Sequence, residues 1–167
     1  RIYDVLTTEW CRLVDDRVTS DPRYLRQNER PVVQIYGFYH KNQGNQMTAE
    51  LGNRLIDFFQ TPGPYSAHLF AGGDWDWRRN PDVDWQTMLA RFEAYAPWNV
   101  GNYSQDGAGT RHATTNYWAA DRAHCDRRGA LWVPVIYPGF SWNNLQRHRP
   151  DQTVLPRRGG NFYWEQF

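Results

Sequence analysis

The sequence predicts an α/β fold built on a parallel sheet, and three observations carry that expectation. Apolar residues recur at helical spacing in stretches that alternate with short β-branched, apolar runs. Glycine, proline and small polar residues punctuate the junctions between them. No glycine-rich dinucleotide or phosphate-loop motif follows any of the runs, which removes the usual support for a nucleotide-binding sheet. The class expected is therefore α/β, a partial (β/α)8 TIM-type barrel of about four parallel strands with outer helices. A complete barrel needs ~250 residues, and this chain has 167. The chain starts at Arg1 rather than Met and reads as an internal piece, one domain over residues 1–167 truncated at both ends.

The elements follow in order. Ile2, Leu6, Trp10, Leu13 and Val14 recur at the spacing of one helical face and predict a helix over residues 3–16. Residues 31–37 are β-branched and apolar and predict a buried strand. Met47, Leu51, Leu55, Phe58 and Phe59 mark a second helix, which Thr61-Pro62-Gly63-Pro64 ends. Residues 66–71 predict a second strand. Asp84 can cap a third helix with Trp85, Met88, Leu89 and Phe92 on its inner face. A third strand is expected over 96–102, a fourth helix over 112–128 ending at Gly129, and a fourth strand over 131–137. Pro134 cannot donate to a ladder, so a bulge or a local edge is needed there. Residues 138–156 read as a loop, and residues 160–167 open another helix. Strict alternation of helix and strand argues for crossover connections and parallel pairing.

Composition narrows the function. The formal charge is +1, with Lys and Arg scattered among acids and Lys41 the only lysine, so no basic stripe offers itself to nucleic acid. No apolar run is long enough to cross a membrane. Cys11 and Cys125 lie far apart; two buried thiols or one disulfide both fit. No two histidines stand at metal-ligand spacing with a carboxylate, and neither metal nor cofactor is expected. Nine Trp, ten Tyr and eight Phe are more than a core of this size usually takes. Several lie in polar, glycine-rich surroundings, where aromatic rings stack on ligands such as sugars.

In a parallel α/β barrel the site lies at the C-terminal ends of the strands. The stretches just after each predicted strand are Phe38-Tyr39-His40-Lys41, Asp74-Trp75-Asp76-Trp77-Arg78, Gly101-Asn102-Tyr103-Ser104, and Tyr137 to Asn144. All four mix aromatics with polar groups, which suits a site for oligo- or polysaccharide: flat faces for stacking, with amides, acids and Arg for hydroxyls. Plain connecting loops are more often simple turns. The substrate-binding candidates are Tyr39, His40, Trp75, Trp77, Arg78, Tyr103, Tyr137, Phe140, Trp142 and Asn143, with Trp98 as a further stacking ring. Asp74 and Asp76 are weak catalytic candidates as a carboxylate pair. The commoner arrangement for two such acids is loop hydrogen bonding and pairing with Arg78 and Arg79. His68, inside a strand, reads as a core histidine. Trp10, Trp85, Trp118 and Trp132 read as packing.

Three stretches resemble a known family. They are Asp21-Pro22-Arg23-Tyr24-Leu25 leading to Arg30–Gly37; Ala96-Pro97-Trp98-Asn99-Val100-Gly101-Asn102-Tyr103; and Val133–Leu145 with Pro156–Trp164. Together they resemble the glycoside hydrolase family 99-like (family 71/99-like) proteins over nearly the whole chain. The resemblance implies a (β/α)8 barrel of which this chain covers roughly strands four to seven, and a secreted or periplasmic location. It also implies a retaining hydrolase acting inside α-mannosidic chains. Its two glutamates would lie on the strand after the segment matching Arg157 to Phe167, so Glu165 is not one of them. The alternatives are a non-catalytic carbohydrate-binding or processing barrel, or a barrel enzyme of another class such as a lyase or isomerase.

Overall fold

The computed structural model describes residues 1–40, 47–145 and 153–167. Its centre is a five-stranded sheet. Four strands are parallel and adjacent in chain order: β2 (Arg30–Phe38), β3 (His68–Gly73), β4 (Ala94–Pro97) and β7 (Leu131–Trp132). The fifth, β1 (Arg26–Gln27), is a short antiparallel edge on β2, outside the strict helix–strand alternation that the sequence predicts. Its turn places Asn28 and Glu29 at positive φ.

Helices α2 (Ala49–Gln60), α3 (Val83–Leu89) and α4 (Trp118–Asp126) lie in the three crossovers between the parallel strands, and α1 (Ile2–Asp15) precedes the sheet. Trp10, Leu55, Phe59, Met88 and Cys125 pack in one core with Ile35, Leu69, Ala71 and Tyr95 of the strands. In register, Ile35 pairs with Ala71, Ala71 with Tyr95, and Tyr95 with Trp132, so these residues share one face, and the helices cover it. Alternate residues Gln34, Phe70, Ala94 and Leu131 share the other face. There Leu131 remains 45% exposed, as expected for the inner wall of a barrel that is not closed by these strands alone.

The helix starts are chemically specified. Thr48 caps α2, its hydroxyl accepting from Leu51 N at 3.1 Å. The cap of α3 is Asp82, which accepts from Trp85 N at 3.1 Å; Asp84 instead lies in the first turn. Cys11 and Cys125 are both free thiols. Among the described residues no helix is long and apolar enough to cross a membrane.

Three expectations need correction. Residues 112–117 of the expected fourth helix are not helical: β5 (Tyr103–Gln105) and β6 (Arg111–Ala113) form a hairpin, and α4 starts only at Trp118. Asp106 builds the turn, its carboxylate accepting from Ala108 N at 2.9 Å and Thr110 N at 2.8 Å. The fourth strand ends at Trp132 because Pro134 has no N–H to give. The extended chain beyond it is pinned instead by Gln166, whose side chain donates to Tyr137 O at 2.8 Å and accepts from Tyr137 N at 3.3 Å. Within the expected loop 138–156, β8 (Phe140–Ser141) pairs with β9 (Val154–Leu155), and α5 (Trp142–Leu145) follows β8. The helix near the C-terminus, α6, covers Asn161–Trp164.

Candidate functional site

Parallel strands deliver their C-terminal ends to one rim, and the structure gathers several of the candidate residues there. At the end of β2, Gly37 takes φ +119 where the pairing with β3 shifts register. The irregularity buries Phe38 and lets the chain turn, with Tyr39 N donating to Gly37 O at 2.8 Å. His40 then reaches across the rim. Its backbone N–H donates to Asp74 Oδ2 at 3.0 Å, and its Nε2 lies 2.8 Å from Asp82 Oδ2. A carboxylate there accepts, so His40 Nε2 carries the proton. Asp82 thus fixes the start of α3 and the His40 ring together, and that ring lies 5.2 Å from Trp85.

His40, Asp74, Asp76, Trp77, Arg79 and Asn80 line a cleft of about 310 Å³. Burial pushes the Asp74 carboxyl upward from its usual range, and Asp76 adds to this, while the His40 N–H opposes it. The two aspartates do not pair with the following arginines. Arg78 bonds Asp121, and Arg79 donates to the Tyr117 hydroxyl at 3.0 Å. Arg79, Asn80 and Asp82 join the site through the fold rather than through any sequence pattern of a binding loop. The signal available for Asp82 was its place three residues before the first buried helical residue, Trp85.

The aromatic candidates divide. Trp75 is half-buried, 5.1 Å from the Tyr117 ring. Trp77 is only 2% exposed and packs on Tyr95 and His124, so it belongs to the core rather than offering a face for stacking. Tyr137 is likewise 2% exposed, its hydroxyl donating to Asn102 O. Tyr103 is exposed on the hairpin with the Arg111 guanidinium 5.0 Å from its ring. Phe140 and Trp142 pack edge to face at 5.2 Å, and Phe140 lies against Gly101. Asn143 is half-buried on α5. Tyr39 and Tyr36 meet through their hydroxyls, and Tyr36 packs against Trp98 at 5.1 Å. Trp98 O accepts from Asn102 Nδ2 at 3.3 Å. Asn102 therefore links the aromatic cluster beyond β4 to the rim of β2 and β3. Lys41 lies outside the described residues.

His68 is 4% exposed, as a core histidine should be, and neither ring nitrogen has a hydrogen-bond partner among the described residues. Among those residues no three His, Cys, Asp or Glu side chains stand together as metal ligands. A second cleft of about 500 Å³ lies between Tyr3, Arg54, Phe58 and the 61–66 turn. It opens beside the start of β3, away from the strand C-terminal ends where barrel chemistry is placed.

Comparison with known proteins sharpens the fold. No family model matches the chain, and no curated protein matches it. Two structures of the GH99 endo-α-mannosidase from Bacteroides thetaiotaomicron do. The complex with bis-tris-propane aligns with a TM-score of 0.66, and the second structure with 0.67, each at 13% identity and over 98% of this chain. The likeness is one of fold. This chain spans 46% and 44% of those chains, less than half their length. It is an α/β unit corresponding to part of a TIM-type barrel.

Proposed function

We propose that this chain forms one wall of the substrate cleft of a carbohydrate-active barrel. In finer terms the parent is a retaining glycoside hydrolase acting on O-glycosidic bonds of the α-mannoside type. Its catalytic carboxylates would lie beyond Phe167. The observation that carries the reading is the rim itself. Tyr39, His40, Asp74, Asp76 and Trp75, from two adjacent strand ends, combine rings with hydrogen-bonding groups next to an open cleft. The fold likeness to an endo-α-mannosidase supports the same reading.

Asp74 and Asp76 do not serve as the acid and nucleophile in this proposal. Both line the same cleft two residues apart on one loop, and the family resemblance puts the catalytic glutamates on a later strand. Their role is to accept hydrogen bonds from sugar hydroxyls, with His40 oriented by Asp82 for the same purpose. The test is turnover of α-mannobiosides by the full-length gene product, with the anomer of the first product read by NMR. Cleavage with retained configuration is expected, and Asp76→Asn should lower activity without abolishing it. Loss of all turnover in Asp76→Asn would show that catalysis has been placed wrongly. Binding without any cleavage would move the parent to the non-catalytic class.

A further inference from the structure

The inner face of the sheet carries an exposed aromatic pair at its C-terminal rim. Tyr36 is 44% exposed and Trp98 41%, although both sit at the middle of the sheet rather than at its edges. They come from β2 and from the residue after β4, and they meet above β3 because β3 has no side chain between them. Tyr36 pairs in register with Gly72, and a Cβ on Gly72 would stand 2.4 Å from Tyr36 Cδ2. The two rings meet at 63° with centroids 5.1 Å apart. Backbone pairing holds the corner, since Trp98 N donates to Gly73 O at 2.8 Å. Tyr39 closes one side, its ring 5.5 Å from that of Tyr36. Among the described residues nothing accepts from the Trp98 indole N–H.

We infer that Tyr36 and Trp98 form a stacking platform for one hexopyranose unit of the substrate. This deepens the carbohydrate reading above and rests on it. A pyranose ring presents an apolar C–H face and a rim of hydroxyls. One aromatic ring takes the face and the second closes its side. The indole N–H, the Tyr36 and Tyr39 hydroxyls and the nearby Asp74 carboxylate serve the rim. Height on the sheet separates this pair from ordinary barrel filling. Gln34, Phe70 and Leu131 lie lower on the same face, where barrel side chains interlock. Tyr36 and Trp98 lie level with the strand ends, beside the loop that carries Asp74 and His40.

The test titrates the full-length gene product with α-1,2-mannobiose, α-1,3-mannobiose, maltose and cellobiose, by calorimetry and by tryptophan fluorescence. At least one disaccharide should bind. Trp98→Ala and Tyr36→Ala should each weaken that binding about three- to tenfold, with melting temperatures close to the parent's, while Trp98→Phe keeps most of the affinity. Binding unchanged in both alanine variants would overturn the platform and leave the carbohydrate reading standing. Binding of none of the four sugars would overturn both. Unfolding of Trp98→Ala would also overturn the platform, because it would make Trp98 a lumen core residue covered by the rest of the barrel.

Discussion

Asp74 shows how one residue can carry opposing demands. It accepts from the His40 N–H, which favours its charge, yet burial dominates and raises its pKa, with Asp76 adding to the effect. A carboxyl raised on folding binds its proton more tightly in the folded state. Ionised Asp74 therefore weakens the fold at neutral pH, and that penalty disappears as pH falls below the ordinary aspartate range. Asp74→Asn keeps an acceptor for His40 and removes the charge. Its melting temperature should exceed the parent's at pH 7, with the gap closing towards pH 3. A variant less stable than the parent at pH 7 would mean that the carboxylate is held by partners stronger than burial. The sequence showed Asp74 and Asp76 as a pair but not which groups face them. The arginines that follow turn away to Asp121 and Tyr117, and only the tertiary fold brings those residues close.

The elements show the same division between local and long-range information. Helices α1 and α2 were legible because their buried positions recur every three or four residues, and the packed residues Leu6, Trp10, Leu13, Leu55 and Phe59 are those the spacing marks. Strands β2 and β3 were legible from their apolar runs. The 103–113 hairpin is masked in the sequence although Asp106-Gly107 is a turn signal, because the Ala- and Arg-containing stretch after it extends the helical pattern backwards. The 133–137 segment looks like a strand and lacks a ladder, for a reason visible in Pro134. The α3 start joins element to site, since one carboxylate caps the helix and holds His40. Asp82→Ala should therefore destabilise the protein by about 1 kcal/mol from the lost cap, with an added loss of sugar affinity as His40 is released. Asp82→Asn should restore much of the cap. Loss of stability with unchanged affinity would separate the cap from the site.

At the scale of the molecule, helices cover one face of a parallel sheet while the other face remains partly open, which is the form of a barrel sector. Alternating periodicity made this class legible, and two structures with a TM-score near 0.67 or 0.66 share it at 13% identity. The position of the site was legible only in outline. Chain direction says that loops after parallel strands meet, but not that Trp77 and Tyr137 turn into the core, nor that Tyr36 stands out on the inner face. Trp77 packs on Tyr95 and His124 and Tyr137 is held by Gln166, both outside the ladders, while Tyr36 owes its place to its register opposite Gly72. The proposed site lays carbohydrate along the C-terminal rim. Hydrogen–deuterium exchange of the full-length protein, with and without a saturating α-mannobioside, tests it most directly. Slowed exchange is expected in peptides covering residues 36–40, 73–80 and 98–103. Slowing confined to the cleft at residues 54–66, at the opposite end of the sheet, would contradict it.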